Sequence, residues 1–163
     1  MFIISPSLVD MLSHTTFSFD RIAQEKTAVF LLTPDEKTTY HRLVSLYISQ
    51  SYQQLVQFAD RSGGKLPGRV NYVLDEFSSL PSIGGCDFVQ YLAAGRSRNL
   101  RFILCLQSKN QLVHTYKENA QTITANCTNW IYLFSRELEL LKDISALCGE
   151  KNCLLYTSDA ADD

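Results

Sequence analysis

Val70-Asn71-Tyr72-Val73-Leu74-Asp75-Glu76-Phe77 is a short apolar run that stops at two adjacent carboxylates. β-Branched and aromatic residues in a run of this length, entered from Gly68 and Arg69, spell a buried parallel strand. Two acids at the C-terminal end of such a strand lie on the sheet edge where α/β proteins bind ligands. In nucleotide-hydrolysing motors such a pair divides two tasks. The first acid holds Mg²⁺ through its water shell, and the second orients and polarises the attacking water. The same residues also describe a strand followed by an acidic helix start, where Asp and Glu answer the helix dipole. What else the chain brings to that edge decides between them.

Upstream, Thr27-Ala28-Val29-Phe30-Leu31-Leu32-Thr33 is a continuous apolar run and reads as another strand covered on both faces. Pro34 then opens a helix with Asp35 and Glu36 in its first turn. From about Lys37 to Arg61, Val44, Tyr47, Ile48, Ser51, Tyr52, Leu55, Val56 and Ala59 recur at helical spacing and form one stripe. Downstream, a helix from about Cys86 to Ser97 is expected to bury Phe88, Val89, Leu92 and Ala93. Arg101 to Leu106 reads as a further buried strand, with Cys105 as a small core residue. Helices are expected over Asn110 to Tyr116 and Glu118 to Ala125, and a fourth strand over Asn129 to Phe134. An amphipathic helix from Arg136 to about Leu147 ends at Gly149. This alternation predicts a three-layer α/β core, a mostly parallel sheet with helices on both faces. That core occupies residues 27–152; residues 1–26 show no clear period beyond a loose helix near Leu8 to Ser13.

Several functions are excluded by what is missing. The 163 residues suit one domain, and 45% hydrophobic with 20% charged residues is ordinary globular composition. The five cysteines form no CxxC pair and no ligand spacing with the three histidines, which suggests reduced thiols. His14, His41 and His114 lie far apart, so a zinc site is not expected. No G-x-S-x-G elbow surrounds Ser108. Met1-Phe2-Ile3-Ile4 is too short for a secretory signal, and no apolar stretch is long enough to span a membrane. Gly63-Gly64-Lys65 invites comparison with a phosphate-binding loop. Such a loop needs Ser or Thr after the lysine and a helix beyond it. Here Leu66 and Pro67 follow, and the segment leads into a strand, so it reads as a surface turn.

The last residues, Cys153 to Asp163, break the pattern of the rest. They match one reading frame of the transposon-end adapter used in sequencing libraries and are expected to be a scar. The formal net charge of −2 would then be partly spurious. Without Asp159, Asp162 and Asp163 the 15 basic residues face 14 acids, a charge of +1.

Three polar features fall at the C-terminal ends of the expected strands: Asp75-Glu76, Gln107 and Ser135-Arg136. In a parallel sheet these ends share one edge. A Gln107 amide there can hydrogen-bond a terminal phosphate or its attacking water. Arg96 and Arg98, after the intervening helix, sit at the opposite end of the layer. From there they reach a neighbouring subunit in a ring more easily than their own site. An arginine supplied in trans contributes about 10³ to 10⁵ in rate. Two solvated arginines after a helix C-terminus are the simpler account.

The succession V-L-D-E-F, L-P, G-R-S-R-N, L-Q-S-x-x-Q-L and N-C-T-N-W-I-Y-L resembles conjugative type IV secretion coupling proteins. These are the TraG/TraD-type DNA-transfer ATPases, and the likeness covers nearly all of Ala23 to Lys151. The resemblance implies a partial RecA-like P-loop NTPase core with a Walker B pair. Asp75 would serve Mg²⁺ and Glu76 would activate water. Arg96 would be the trans-acting arginine, Gln107 the phosphate-sensing amide, and Arg98 has no assigned role. ATP and Mg²⁺ are the implied cofactors. DNA, a relaxase or relaxosome, and secretion-channel proteins are the implied partners. The family's form is a homo-hexamer at the cytoplasmic face of the bacterial membrane. A P-loop, a membrane anchor and most of a helical domain would lie upstream. Without that loop, the chain alone is expected to show no ATPase activity. A chromosome-partitioning DNA translocase and a non-catalytic substrate-recruiting receptor of the same fold are the alternatives.

Overall fold

The computed structural model describes residue 13 and residues 18–34, 38–81 and 88–149. The chain divides into two compact units, Met1–Trp130 and Ile131–Asp163. The expected helix near Leu8 to Ser13, the Asp35-Glu36 helix start, the Gly84-Gly85 loop and the 153–163 tail fall outside the described residues, save Ser13.

Within the first unit, residues 19–24 form a short helix, α1 (Phe19–Gln24), in a stretch whose sequence shows no clear period. Ser18 caps it by accepting from the Asp20 N–H at 3.3 Å. The long helix α2 (Thr38–Arg61) follows the expected stripe. Ile48, Tyr52, Leu55 and Ala59 are buried, together with Ser51. A turn through Gly63 and Gly64, both at positive φ, leads into β1 (Val70–Leu74). Gly63-Gly64-Lys65 is thus a surface turn, as read. A 3-10 turn (Phe77–Ser79) and helix α3 (Phe88–Gly95) come next, then a second 3-10 turn (Arg96–Arg98) and β2 (Leu100–Leu104). Helices α4 (Lys109–Tyr116) and α5 (Asn119–Asn126) complete the regular elements of this unit.

β1 and β2 pair in parallel with Val70 opposite Leu100 and Leu74 opposite Leu104. Tyr72 and Phe102 are direct cross-strand partners, and their rings stack at 4.9 Å. One face of this pair is covered by α2 and α3. Tyr52 of α2 stacks on Tyr91 of α3 at 4.0 Å, and the Tyr72 hydroxyl meets Ser51 at 3.0 Å. Tyr91 is buried in α3 where Ala93 was expected, and Ala93 is exposed. The missing-Cβ space at Gly95 is what lets α3 approach the sheet. A Cβ there would stand 3.2 Å from the Phe102 ring.

The structure is α/β, but its sheet among the described residues has two strands and one covered face. Val73 and Ile103 point to the other face and are 64% and 44% exposed. Alternating burial therefore replaces the two-sided burial expected of both strands. Thr27–Thr33 is not a strand: it has no regular structure, and Phe30 and Leu32 are 81% and 92% exposed. Asn129–Phe134 is not a strand either. An apolar run becomes a strand only when a neighbour takes its backbone N–H and C=O groups, and neither run has one among the described residues. Cys105, expected in the core, lies just past the end of β2 and is exposed. In the second unit, helix α6 (Leu138–Cys148) ends at Gly149 with φ 71°, the expected stop.

Candidate functional site

The C-terminal end of β1 is where the ladder becomes irregular. In a regular parallel ladder Cys105 would donate to the Leu74 carbonyl and accept from the Glu76 N–H. It does donate to Leu74, at 3.0 Å, but it accepts from the Phe77 N–H at 3.1 Å. The strand therefore carries one extra residue, a bulge that re-aims the side chains around it. Glu76 absorbs the extra length in the left-handed region, with φ 48° and ψ 40°. For a residue with a Cβ that conformation costs about 1 kcal/mol. The Glu76 N–H, displaced from the ladder, is taken by Asp75 Oδ1 at 3.0 Å.

Phe77 anchors the distorted turn from behind. Its side chain is fully buried, stacked on Tyr116 at 4.8 Å and tilted against Phe88 at 4.7 Å. Asp75 and Glu76 are both exposed on the other side of the turn. The acids thus face solvent from a rigid base.

Gln107 comes to the same place from the end of β2. Its Nε2 donates to Glu76 Oε1 at 2.6 Å. Sequence reasoning placed Asp75, Glu76 and Gln107 on one edge, and the structure brings them together there. Ser108 then caps α4, accepting from the Asn110 N–H at 3.1 Å.

Arg96 lies elsewhere. It is exposed, in the turn that feeds the start of β2, and the strands run in parallel register. The length of the strands, about 16 Å at 3.3 Å per residue, separates it from Glu76. Arg98, in the same turn, reaches Asp60 at the end of α2 at 3.5 Å, while its Nε is buried without a hydrogen-bond partner. Arg98 thus ties the turn to α2.

Ser135 and Arg136 do not end a strand. Ser135 Oγ accepts from the Glu137 N–H at 3.0 Å ahead of α6, a local turn bond, and Arg136 is exposed. They belong to the second unit.

Three side chains not singled out by the sequence reading grip the turn. Ser78 Oγ donates to Gln111 Oε1 at 3.1 Å, and Thr115 Oγ1 donates to the Ser78 carbonyl at 2.8 Å. Tyr116 adds a bond to the Leu80 carbonyl at 3.3 Å. The spacing of Gln111 and Thr115, four residues apart within α4, is the signal in the sequence that places these two on one face. Burial pushes the Tyr116 phenol well above its ordinary pKa.

No group of three or more His, Cys, Asp or Glu able to hold a metal occurs among the described residues. A single exposed carboxylate such as that of Asp75 is the kind of protein ligand that Mg²⁺ would accept.

Residues 69–162 match the family described as the TraM recognition site of TraD and TraG. The chain is similar to the type IV secretion system-coupling protein VirD4 of Bartonella quintana, 30% identical over 146 residues. It is also similar to the protein of the same name from Bartonella henselae, 28% identical over 146 residues. In each case the match covers 86% of this chain and 21% of the relative's length. No solved structure matches the chain.

Proposed function

This chain belongs to the family described as the TraM recognition site of TraD and TraG, and from that premise we propose that it is part of a type IV secretion coupling motor. The whole protein is an ATP-driven translocase that delivers relaxase-bound DNA to the secretion channel. The chain spans 21% of the length of the relatives it matches, so the rest of that machine lies in other residues. In this reading β1 and β2 belong to a larger RecA-like sheet. Further strands of that sheet pair at its edges, and helices packed on its second face cover the side that Val73 and Ile103 leave open.

The observation that carries the reading is the 2.6 Å bond between Gln107 and Glu76 across two strand ends. It sets an amide donor and a carboxylate side by side, beside Asp75, on the ligand-binding edge of a parallel pair. ATP and Mg²⁺, when bound, supply the phosphoanhydride and the charge that stabilises its cleavage. Asp75 would hold the cation with its exposed carboxylate. Glu76 orients and polarises the attacking water, and Gln107 donates to phosphate oxygen with its remaining Nε2 hydrogen. Arg96, a strand's length away, serves the site of the next subunit in a hexameric ring at the cytoplasmic face of the membrane. The family description, a TraM recognition site, supports a TraM-type protein as a further partner of this region.

In the full-length protein, Glu76→Gln is expected to cut ATP hydrolysis by about 10²-fold or more while nucleotide binding persists. DNA transfer between mating cells should fall with it. Wild-type hydrolysis by this variant would overturn the role given to Glu76. DNA transfer by an unmutated protein that hydrolyses no ATP would overturn the motor reading in favour of a non-catalytic recruiting role. The chain alone should not hydrolyse ATP, since no phosphate-cradling loop occurs among its described residues.

A further inference from the structure

Glu76 is held in an unfavourable backbone conformation, and its own ladder bond is absent, so something outside the strand must keep it there. Part of the hold is local, since Asp75 Oδ1 takes the Glu76 N–H, the Cys105 carbonyl takes the Phe77 N–H and the Glu76 carbonyl takes the Ser79 N–H. The side-chain bonds that reach the 76–78 segment from outside it come from Gln107 and from α4. Gln107 bonds the Glu76 carboxylate. From α4 itself, Gln111 accepts from the Ser78 hydroxyl and, one helical turn on, Thr115 donates to the Ser78 carbonyl. With Gln107, which precedes the Ser108 cap, these side chains meet the 76–78 segment at successive points.

We propose that Gln111 and Thr115 are positioning residues for Glu76, acting through Ser78, and that α4 and the acidic turn form one mechanical unit. This rests on the motor reading, in which Glu76 orients the attacking water. Any displacement of α4 along its axis then carries Glu76 and Gln107 with it, because Ser78 is gripped at both its hydroxyl and its carbonyl. Phe77 fixes the depth of the turn, and the bonds from the Phe77 N–H to the Cys105 carbonyl and from the Ser79 N–H to the Glu76 carbonyl set its backbone course. The hydroxyl and carbonyl bonds of Ser78 add the tie to α4. Thr115 and Gln111 have no need to touch nucleotide for this role.

The test begins with the 163-residue chain, its glutamine side-chain amides followed by ¹⁵N NMR. Thr115→Val removes the hydroxyl at nearly constant shape, and Gln111→Ala removes the other grip. Each is expected to move the Gln107 side-chain amide resonance toward its position in Glu76→Ala. Thr115→Ser, which keeps the hydroxyl, is expected to leave it in place. An unmoved Gln107 signal in both Thr115→Val and Gln111→Ala overturns the proposal. In the full-length coupling protein, Thr115→Val should lower kcat about tenfold with KM unchanged, as expected of a misplaced catalytic group. A raised KM with kcat intact would also overturn it. If the wild-type protein hydrolyses no ATP, the motor reading falls, and the amide signal still decides whether α4 positions Glu76.

Discussion

Thr27–Thr33 and Val70–Leu74 are both short, apolar and rich in β-formers, yet only the second is a strand. The difference is not in their side chains. Val70–Leu74 lies one crossover before Leu100–Leu104, and the intervening α3 packs on the face the two strands share. Backbone pairing and side-chain burial therefore arrive together. Thr27–Thr33 has the same capacity to pair and no partner among the described residues, so Phe30 and Leu32 stay in solvent. Strand propensity is a permission, and a neighbouring edge is what uses it.

The widest way to break that contrast is alkaline pH. Burial raises the Tyr72 and Tyr116 phenols far above their ordinary values, and Tyr47 and Tyr52 to a lesser degree. A raised folded-state pKa on an acid means that the folded protein holds its proton more tightly. The resulting stability is fully present below about pH 10, the unfolded value, and is lost as pH rises through the folded values. The aromatic layer between α2, α3 and the sheet should thus unfold cooperatively above about pH 10. Denaturant midpoints measured from neutral to alkaline pH, with tyrosinate absorbance, check this. A midpoint that stays level across that range would contradict it.

The next largest effect separates the two apolar regions directly. Phe77→Ala empties a fully buried site against Tyr116 and Phe88 and should cost about 3–5 kcal/mol. Leu32→Ala, at a side chain 92% exposed, should change stability by no more than about 0.5 kcal/mol. Urea denaturation of the two variants compares them; equal losses would mean that Thr27–Thr33 packs in solution. The smallest effect tests how closely α3 approaches β2. Gly95→Ala sets a methyl carbon 3.2 Å from the Phe102 ring. The ring is wedged between Tyr72 and Phe88 and has little room to retreat. A loss of about 1 kcal/mol is expected by the same assay. A gain in stability would show that the ring yields.

Much of the site was legible before any coordinates. The acids at the end of an apolar run, and a glutamine at the end of the next, followed from residue type and from the rule that parallel strands share their C-terminal edge. The strand pair, the long α2 stripe and the Gly63-Gly64 turn were legible for the same reason, since each is a local pattern. Cys105 was misplaced because an apolar run says nothing of where the strand within it stops. Ser135 and Arg136 were misplaced because the strand expected to carry them does not form. Ser78, Gln111 and Thr115 were passed over because a serine, a glutamine and a threonine carry no chemistry until their partners are known.

The division has a physical origin. The sequence by itself determined the α2 stripe and the helices after it (though not α1), which segments can be strands, and that Asp75, Glu76 and Gln107 belong to strand ends, because periodicity and composition act over a few residues. Only the tertiary structure decided which apolar runs pair and that Glu76 is the extra residue of a bulge. It also decided that α4 grips the turn, through bonds joining residues 31, 33 and 37 apart in the chain. Such bonds depend on how a crossover returns one strand to another's side, and no local pattern encodes that distance.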